Sequence, residues 1–128
     1  MMQKIYLLVI GLAYLALSAW CMISPDGTAQ AVGFDLQPGS GQSEYLVVYG
    51  GLQLGLGCFF LWPVIWKPAA LSVAIVASLL IHAGIVLLRS ISLGLYGDLG
   101  VTTLVLAAVE WVILLAAAML CWRDTAGN

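Results

Sequence analysis

Residues 99–122 read LGVTTLVLAAVEWVILLAAAMLCW, an apolar run interrupted by one charge, Glu110. At about 1.5 Å of rise per residue, about 20 helical residues cross a hydrocarbon core of roughly 30 Å, so this stretch is long enough to span a bilayer as one helix. A charge near the middle of such a helix costs roughly 2.5–3.5 kcal/mol on insertion, which Leu, Ile and Val offset at about 0.3–0.6 kcal/mol each. The helix is therefore expected to insert, with Glu110 turned away from the acyl chains or protonated.

Working outward, three further stretches have the same character. The first runs from Ile5 to Ile23 and is stopped by Ser24-Pro25-Asp26-Gly27, where a backbone donor is missing and a turn is favoured. The second runs from about Tyr45 to Trp66 and is closed by Lys67-Pro68; Pro63, in its last turn, is expected to bend it or end it early. The third runs from Ala69 to about Leu88, and a polar tail, Arg123 to Asn128, follows the fourth. The fold class read from this pattern is all-α: an integral membrane bundle of four transmembrane helices, about 5–23, 45–66, 69–88 and 99–122, in one domain covering 1–128. Composition agrees, since 63% of the residues are hydrophobic and 8% charged, against roughly 25% charged in a soluble domain. The net charge is -2 and the basic residues are scattered, which speaks against nucleic acid as a partner.

Lys4 before an apolar run also fits a secretory signal peptide, but bulky Trp20 stands where a cleavage site needs a small residue, so the first span is expected to be retained. Lys4, Lys67 and Arg123 share one side of the predicted bundle; Arg89 stands alone on the other, with Asp26, Asp35, Glu44 and Asp98 in or beside its loops. Positive residues in short loops stay cytoplasmic, so both termini are expected inside. Trp62, Trp66 and Trp122 then mark the inner interface, and Trp20, Tyr45 and Tyr96 the outer. The outer loop, 24–44, has two readings: a short surface helix carrying Ala29, Ala31, Val32, Phe34 and Leu36, or a solvated loop with a few apolar anchors.

The candidates for chemistry are few. Glu110 is either a proton-handling or ligand-contacting carboxyl or a structural hydrogen-bonding group. His82, the one histidine, lies at similar depth in the third span; with Ser78 and Arg89 it lines one helix face. His82 is either a satisfied packing residue or a catalytic base, and no Cys or Asp at ligand spacing makes it a metal site. Arg89 either reaches water by snorkelling or pairs with Asp98 or Glu44, or it grips an anionic headgroup or ligand. Tyr45, Tyr49 and Gln53 form a stripe at four-residue intervals beside Gly51-x-x-x-Gly55, a motif that permits close helix packing or shapes a pocket wall. Tyr14 and Trp111 fall at mid-depth, as core or as stacking surfaces. Cys21, Cys58 and Cys121 are odd in number and dispersed, which makes them packing residues, with a reactive thiol at Cys21 as the alternative. Tyr49, Gln53, Arg89, Asp98 and Glu110, with His82, are expected to converge as one polar pocket under a loop lid.

Tyr49-Gly50-Gly51-Leu52-Gln53-Leu54-Gly55-Leu56-Gly57, followed by Arg89, Gly97-Asp98 and Glu110, resembles a bacterial family of small four-helix membrane proteins known as a domain of unknown function, within the broader DoxX/DoxD-like group. The likeness covers nearly the whole chain; the family pattern often has Glu where this chain has Gln53. It implies a bacterial cytoplasmic (inner) membrane and a four-helix fold. Two functions follow from residues and resemblance together. The first is binding of a small lipophilic molecule such as a quinone or lipid, or service as an accessory subunit in a homo-oligomer or larger membrane complex. The second is a small membrane enzyme, isomerase-like or redox, with Glu110 or His82 moving a proton.

Overall fold

A computed structural model of the chain describes residues 1–97 and 99–126, Thr125 by its backbone alone. Helix α1 spans Met2–Ile23. At Ser24 the backbone leaves the helical region and Pro25 opens a second, short helix, α2 (Pro25–Ala31), at a position where its missing N–H costs nothing. Helix α3 (Ser40–Tyr45) runs without a break through a π-helical segment, Leu46–Leu52, into α4 (Gln53–Ile65). A 3-10 turn, Pro68–Ala70, leads to α5 (Leu71–Leu95), and α6 covers Val101–Ala126. Four helices, Met2–Ile23, Ser40–Ile65, Pro68–Leu95 and Val101–Asp124, are long and apolar enough to cross a membrane. Their outward faces carry Val73, Leu80, Leu87, Val112 and Leu115, all more than half exposed, an oily exterior suited to lipid.

The helices outrun the sequence-read spans. The third was expected to end near Leu88, before the first charge; it continues to Leu95, because Ser90 and Ser92 donate their hydroxyls to the carbonyls of Val86 and Arg89 and so sit inside a helix without seeking water. Arg89 is thereby placed within the helix rather than at its mouth. The second starts at Ser40, five residues before Tyr45, where Gln42 accepts a hydrogen bond from the Gly39 N–H. Met2 to Lys4 are helix-compatible polar and apolar residues, so α1 starts before the oily run does. The fourth span begins at Val101 and reaches Ala126, past Trp122, with Arg123 in its last turn favouring the helix dipole. Pro63 is buried in α4, which ends two residues beyond it.

Packing divides the molecule into two helix pairs. Helices α1 and α4 lie closest, as do α5 and α6, and the pairs meet each other more sparsely. In the first pair the close approach is made by Gly11 and Gly57: a Cβ on Gly11 would stand 2.6 Å from Leu61 Cγ, and one on Gly57 2.7 Å from Leu15 Cδ2 and 3.0 Å from the Gly11 carbonyl. The expected Gly51-x-x-x-Gly55 motif does not do this, since a Cβ at Gly55 would meet nothing within 4 Å and one at Gly51 only a backbone oxygen at 4.0 Å. The start of α1 and the last turns of α6 lie at one end, where Arg123 reaches Met2 Sδ at 3.3 Å and Ser72 donates to Asp124 at 2.8 Å. Leu7, Ile10, Phe60, Ala74, Ile75 and Leu120 form the core of that half.

The opposite end is roofed by α2, whose Ala29 is buried with Cys21 and Tyr45. Loop 24–44 thus combines both expectations: a helix over Pro25–Ala31, then an irregular stretch from which Phe34 packs edge-on against Tyr45 and Tyr49. Tyr45 is 5% exposed and is no interfacial anchor; it lies beneath this roof, stacked on Tyr49 at 4.5 Å between ring centres. Trp20, Trp62, Trp66, Tyr96 and Trp122 do lie exposed on the surface. Trp111 is 44% exposed and is not part of the core. Cys21 is 2% exposed and lies 3.8 Å from the Tyr45 hydroxyl, a packing position with no access for a thiol reagent.

Candidate functional site

Between the two pairs lie two adjoining cavities, each of about 190 Å³, that share Leu17, Gln53, Leu106 and Glu110 as walls. The one nearer the termini adds Tyr14, His82 and Ile113; the one nearer the roof adds Tyr49, Arg89 and Thr28 of α2. Most of their lining surface is apolar, and the polar residues common to both, which mark their junction, are Gln53 and Glu110.

At that junction Arg89 and Glu110 form a bidentate pair: Nε donates to Oε2 at 3.0 Å and Nη2 to Oε1 at 2.9 Å. Their side chains are 28% and 16% exposed. Two parallel charge-assisted bonds are the strongest arrangement these groups can adopt, and in a membrane they also remove two charges from contact with lipid. The expected partners of Arg89 were Asp98 or Glu44. With α5 extended through Ser92, the guanidinium lies beside α6 instead and takes Glu110; Asp98 falls outside the described residues.

Gln53 opens α4 directly after the π-helical segment, and its amide Oε1 is buried without a hydrogen-bond partner among the described residues. The segment that positions it contains the Tyr49-Gly50-Gly51 run. A π-helix widens the turn and changes which residues share a face, and such segments recur at functional sites. Here it stacks Tyr45 on Tyr49, and the Gly50 carbonyl accepts the buried Ser18 hydroxyl at 2.8 Å, fixing the segment to α1.

His82 does not pair with Glu110. Its Nδ1 lies 2.8 Å from the Ser78 carbonyl and its Nε2 3.2 Å from the Tyr14 hydroxyl. Ser78 Oγ in turn lies 2.7 Å from the Tyr6 hydroxyl. Of the six residues expected to converge, Gln53 and Glu110 line both cavities, Tyr49 and Arg89 one, and His82 the other. Sequence reasoning missed Tyr6 and Ser18. Their signal was present as a polar stripe on α1, in which Ser18 follows Tyr14 by four residues and Cys21 follows Ser18 by three. The Thr28 contribution to the roof was not legible, because it depends on how α2 folds back.

The four spans and the buried polar junction between them define the class, a membrane protein with four candidate spans. Within that class the chain belongs to the family described as domain of unknown function DUF4345, whose model matches residues 2–121. No curated protein and no solved structure matches it.

Proposed function

We propose that this protein binds a neutral, hydroxyl-bearing lipophilic molecule, a quinol or a lipid alcohol, with its polar head at Gln53 and its apolar body in the adjoining cavities. What supports this is the junction itself, where a charge-neutral Arg89–Glu110 pair and a buried amide oxygen with no donor among the described residues line the same cavity. Glu110 cancels the guanidinium's charge through two of its five N–H donors, so an anionic phosphate or carboxylate head would meet a pair with no net positive charge and would leave the Gln53 acceptor unmet. A hydroxyl satisfies Gln53 without disturbing the pair, and an unmet buried acceptor costs about 1–3 kcal/mol, which such a ligand recovers. Two lobes of about 190 Å³ are together of the size of small-molecule sites, roughly 300–1,000 Å³.

The membrane we assign is the bacterial cytoplasmic one, with both termini cytoplasmic. Lys4, Lys67 and Arg123 lie towards the terminal end, and Arg89, the one basic residue of the other half, is neutralised by Glu110, so it does not compete in setting orientation. The Tyr49-Gly50-Gly51 run with Arg89 and Glu110 downstream is also the ground on which we place the family in the DoxX/DoxD-like group.

Purification in mild detergent, organic extraction and mass spectrometry test the binding. The expected result is a near-stoichiometric neutral lipophile carrying a hydroxyl, retained by the wild type and lost from a Gln53→Leu variant that still elutes as a folded species. Extracts matching bulk membrane lipid in both proteins would reject it.

A further inference from the structure

The hydrogen bonds around His82 have a direction. A carbonyl oxygen only accepts, so the 2.8 Å contact with the Ser78 carbonyl places the proton on Nδ1. In the neutral ring Nε2 is then a bare acceptor, and the Tyr14 hydroxyl, 3.2 Å away, donates to it. On the far side, the Tyr6 hydroxyl donates to the Ile113 carbonyl at 3.2 Å, so the 2.7 Å contact with Ser78 is donated by Ser78 Oγ. Ser78 Oγ also lies 3.3 Å from Nδ1, where it is a second acceptor for that proton. The donors of Tyr14, His82 and Ser78 therefore all point along the series towards Tyr6, whose own proton rests on the Ile113 carbonyl.

Tyr14, at one end of the series, lines the cavity and its oxygen keeps accepting capacity there; Tyr6, at the other, lines an apolar groove with Met2, Met119 and Leu120 that adjoins one holding Arg123 and Asp124. The middle is dry, since His82 is 1% and Ser78 0% exposed. Beyond the carbonyl that satisfies Nδ1, each ring nitrogen has a hydroxyl within reach, Tyr14 at Nε2 and Ser78 at Nδ1, and hydroxyls can pass protons on.

We propose that Tyr14, His82, Ser78 and Tyr6 form a proton relay connecting the cavity to the terminal end of the bundle. A proton entering from a water or a ligand hydroxyl in the cavity bonds to Tyr14 Oη as the tyrosine's own proton moves to Nε2. Nδ1 then releases its proton to Ser78 Oγ, Ser78 passes its own to Tyr6 Oη, and Tyr6 gives its proton to water at the terminal end. One proton enters and one leaves, no electron moves, and the conjugate base of the donor remains in the cavity. Of the groups facing the ring's surroundings, Tyr14 comes from α1, Gln53 from α4 and Glu110 from α6, and Arg89 is held by Glu110. The relay extends beyond the binding reading and does not depend on what fills the cavity.

With one histidine in the chain, ¹⁵N-histidine labelling reports on the relay alone. Full-length protein in lipid nanodiscs, stripped of extractable lipophiles, is expected to show the Nδ1–H tautomer at neutral pH. Exchange of that proton with bulk water is expected to slow roughly tenfold or more in Tyr6→Phe and in Ser78→Ala. Hydrogen bonds with a purely structural role would give the opposite sign, because removing them loosens the site and speeds exchange. An Nε2–H tautomer in the wild type overturns the proposal without recourse to any variant, as does exchange that is unchanged or faster in whichever variant folds. A normal relay in a protein that retains no lipophile would reject the binding reading and leave the relay standing.

Discussion

The carboxylate of Glu110 and the guanidinium of Arg89 meet through two parallel hydrogen bonds, and what separating them costs depends on their surroundings. Neither group is more than about a quarter exposed and both lie within candidate spans. Glu110→Gln leaves Arg89 with an uncompensated charge, and the expected loss is about 2–4 kcal/mol of folding stability. Arg89→Met combined with Glu110→Leu removes both charges and is expected to lie closer to wild type than either single change. Detergent-driven unfolding followed by tryptophan fluorescence measures the wild type, Glu110→Gln, the single changes Arg89→Met and Glu110→Leu and their double variant, and additive effects of the last two in the double variant would contradict the pairing. That Glu110 points inward was legible from the sequence, because a charge at mid-span has nowhere else to go. Its partner was not, because hydropathy ends a helix at the first arginine and does not register serines that bond back to the preceding turn.

At the scale of the element, two glycine sets that look alike in sequence do different work. Gly11 and Gly57 hold α1 against α4, while Gly55 meets nothing. Gly57→Ala is expected to destabilise by about 1–3 kcal/mol, since its methyl meets Leu15 and the Gly11 backbone. Gly55→Ala is expected to be neutral or to stabilise by up to about 1 kcal/mol through helix propensity. The same unfolding measurement compares them, and a larger loss at Gly55 would reverse the assignment. The sequence motif pointed to the wrong set for a physical reason. Which face of a helix meets its neighbour is a tertiary property that glycine spacing does not fix, whereas the stripe Tyr45, Tyr49 and Gln53 does line one cavity, across the π-helical segment Leu46–Leu52. The existence of four long apolar helices was, by contrast, plain from hydropathy, because in lipid a backbone must satisfy its own hydrogen bonds.

For the molecule as a whole, orientation is the property that gives the cavities and the relay their meaning. The buried position of Cys21 makes the native thiol a poor reporter of sidedness, since it is shielded whichever way the protein inserts. Cysteines introduced at Asp35 and Lys67, both exposed and near opposite ends, serve better. In intact cells an impermeant maleimide is expected to label Asp35→Cys and to leave Lys67→Cys unlabelled until the membrane is opened, each in a background without Cys58. The reverse pattern would invert the bundle and turn the relay towards the outside.

The uneven seams between helices also decide how a guest arrives. Helix α1 is clasped to α4 by backbone-to-backbone approach and α5 to α6 by an ion pair, whereas the pairs meet each other across the core of the terminal half and the hydrogen bonds of Tyr6 and Tyr14, with the two cavities filling the seam beyond. On the binding reading, a hydrophobic guest diffusing sideways through the acyl phase is expected to enter along that seam without passing through water, and a disulfide engineered across it is expected to shut the guest out while leaving each pair intact.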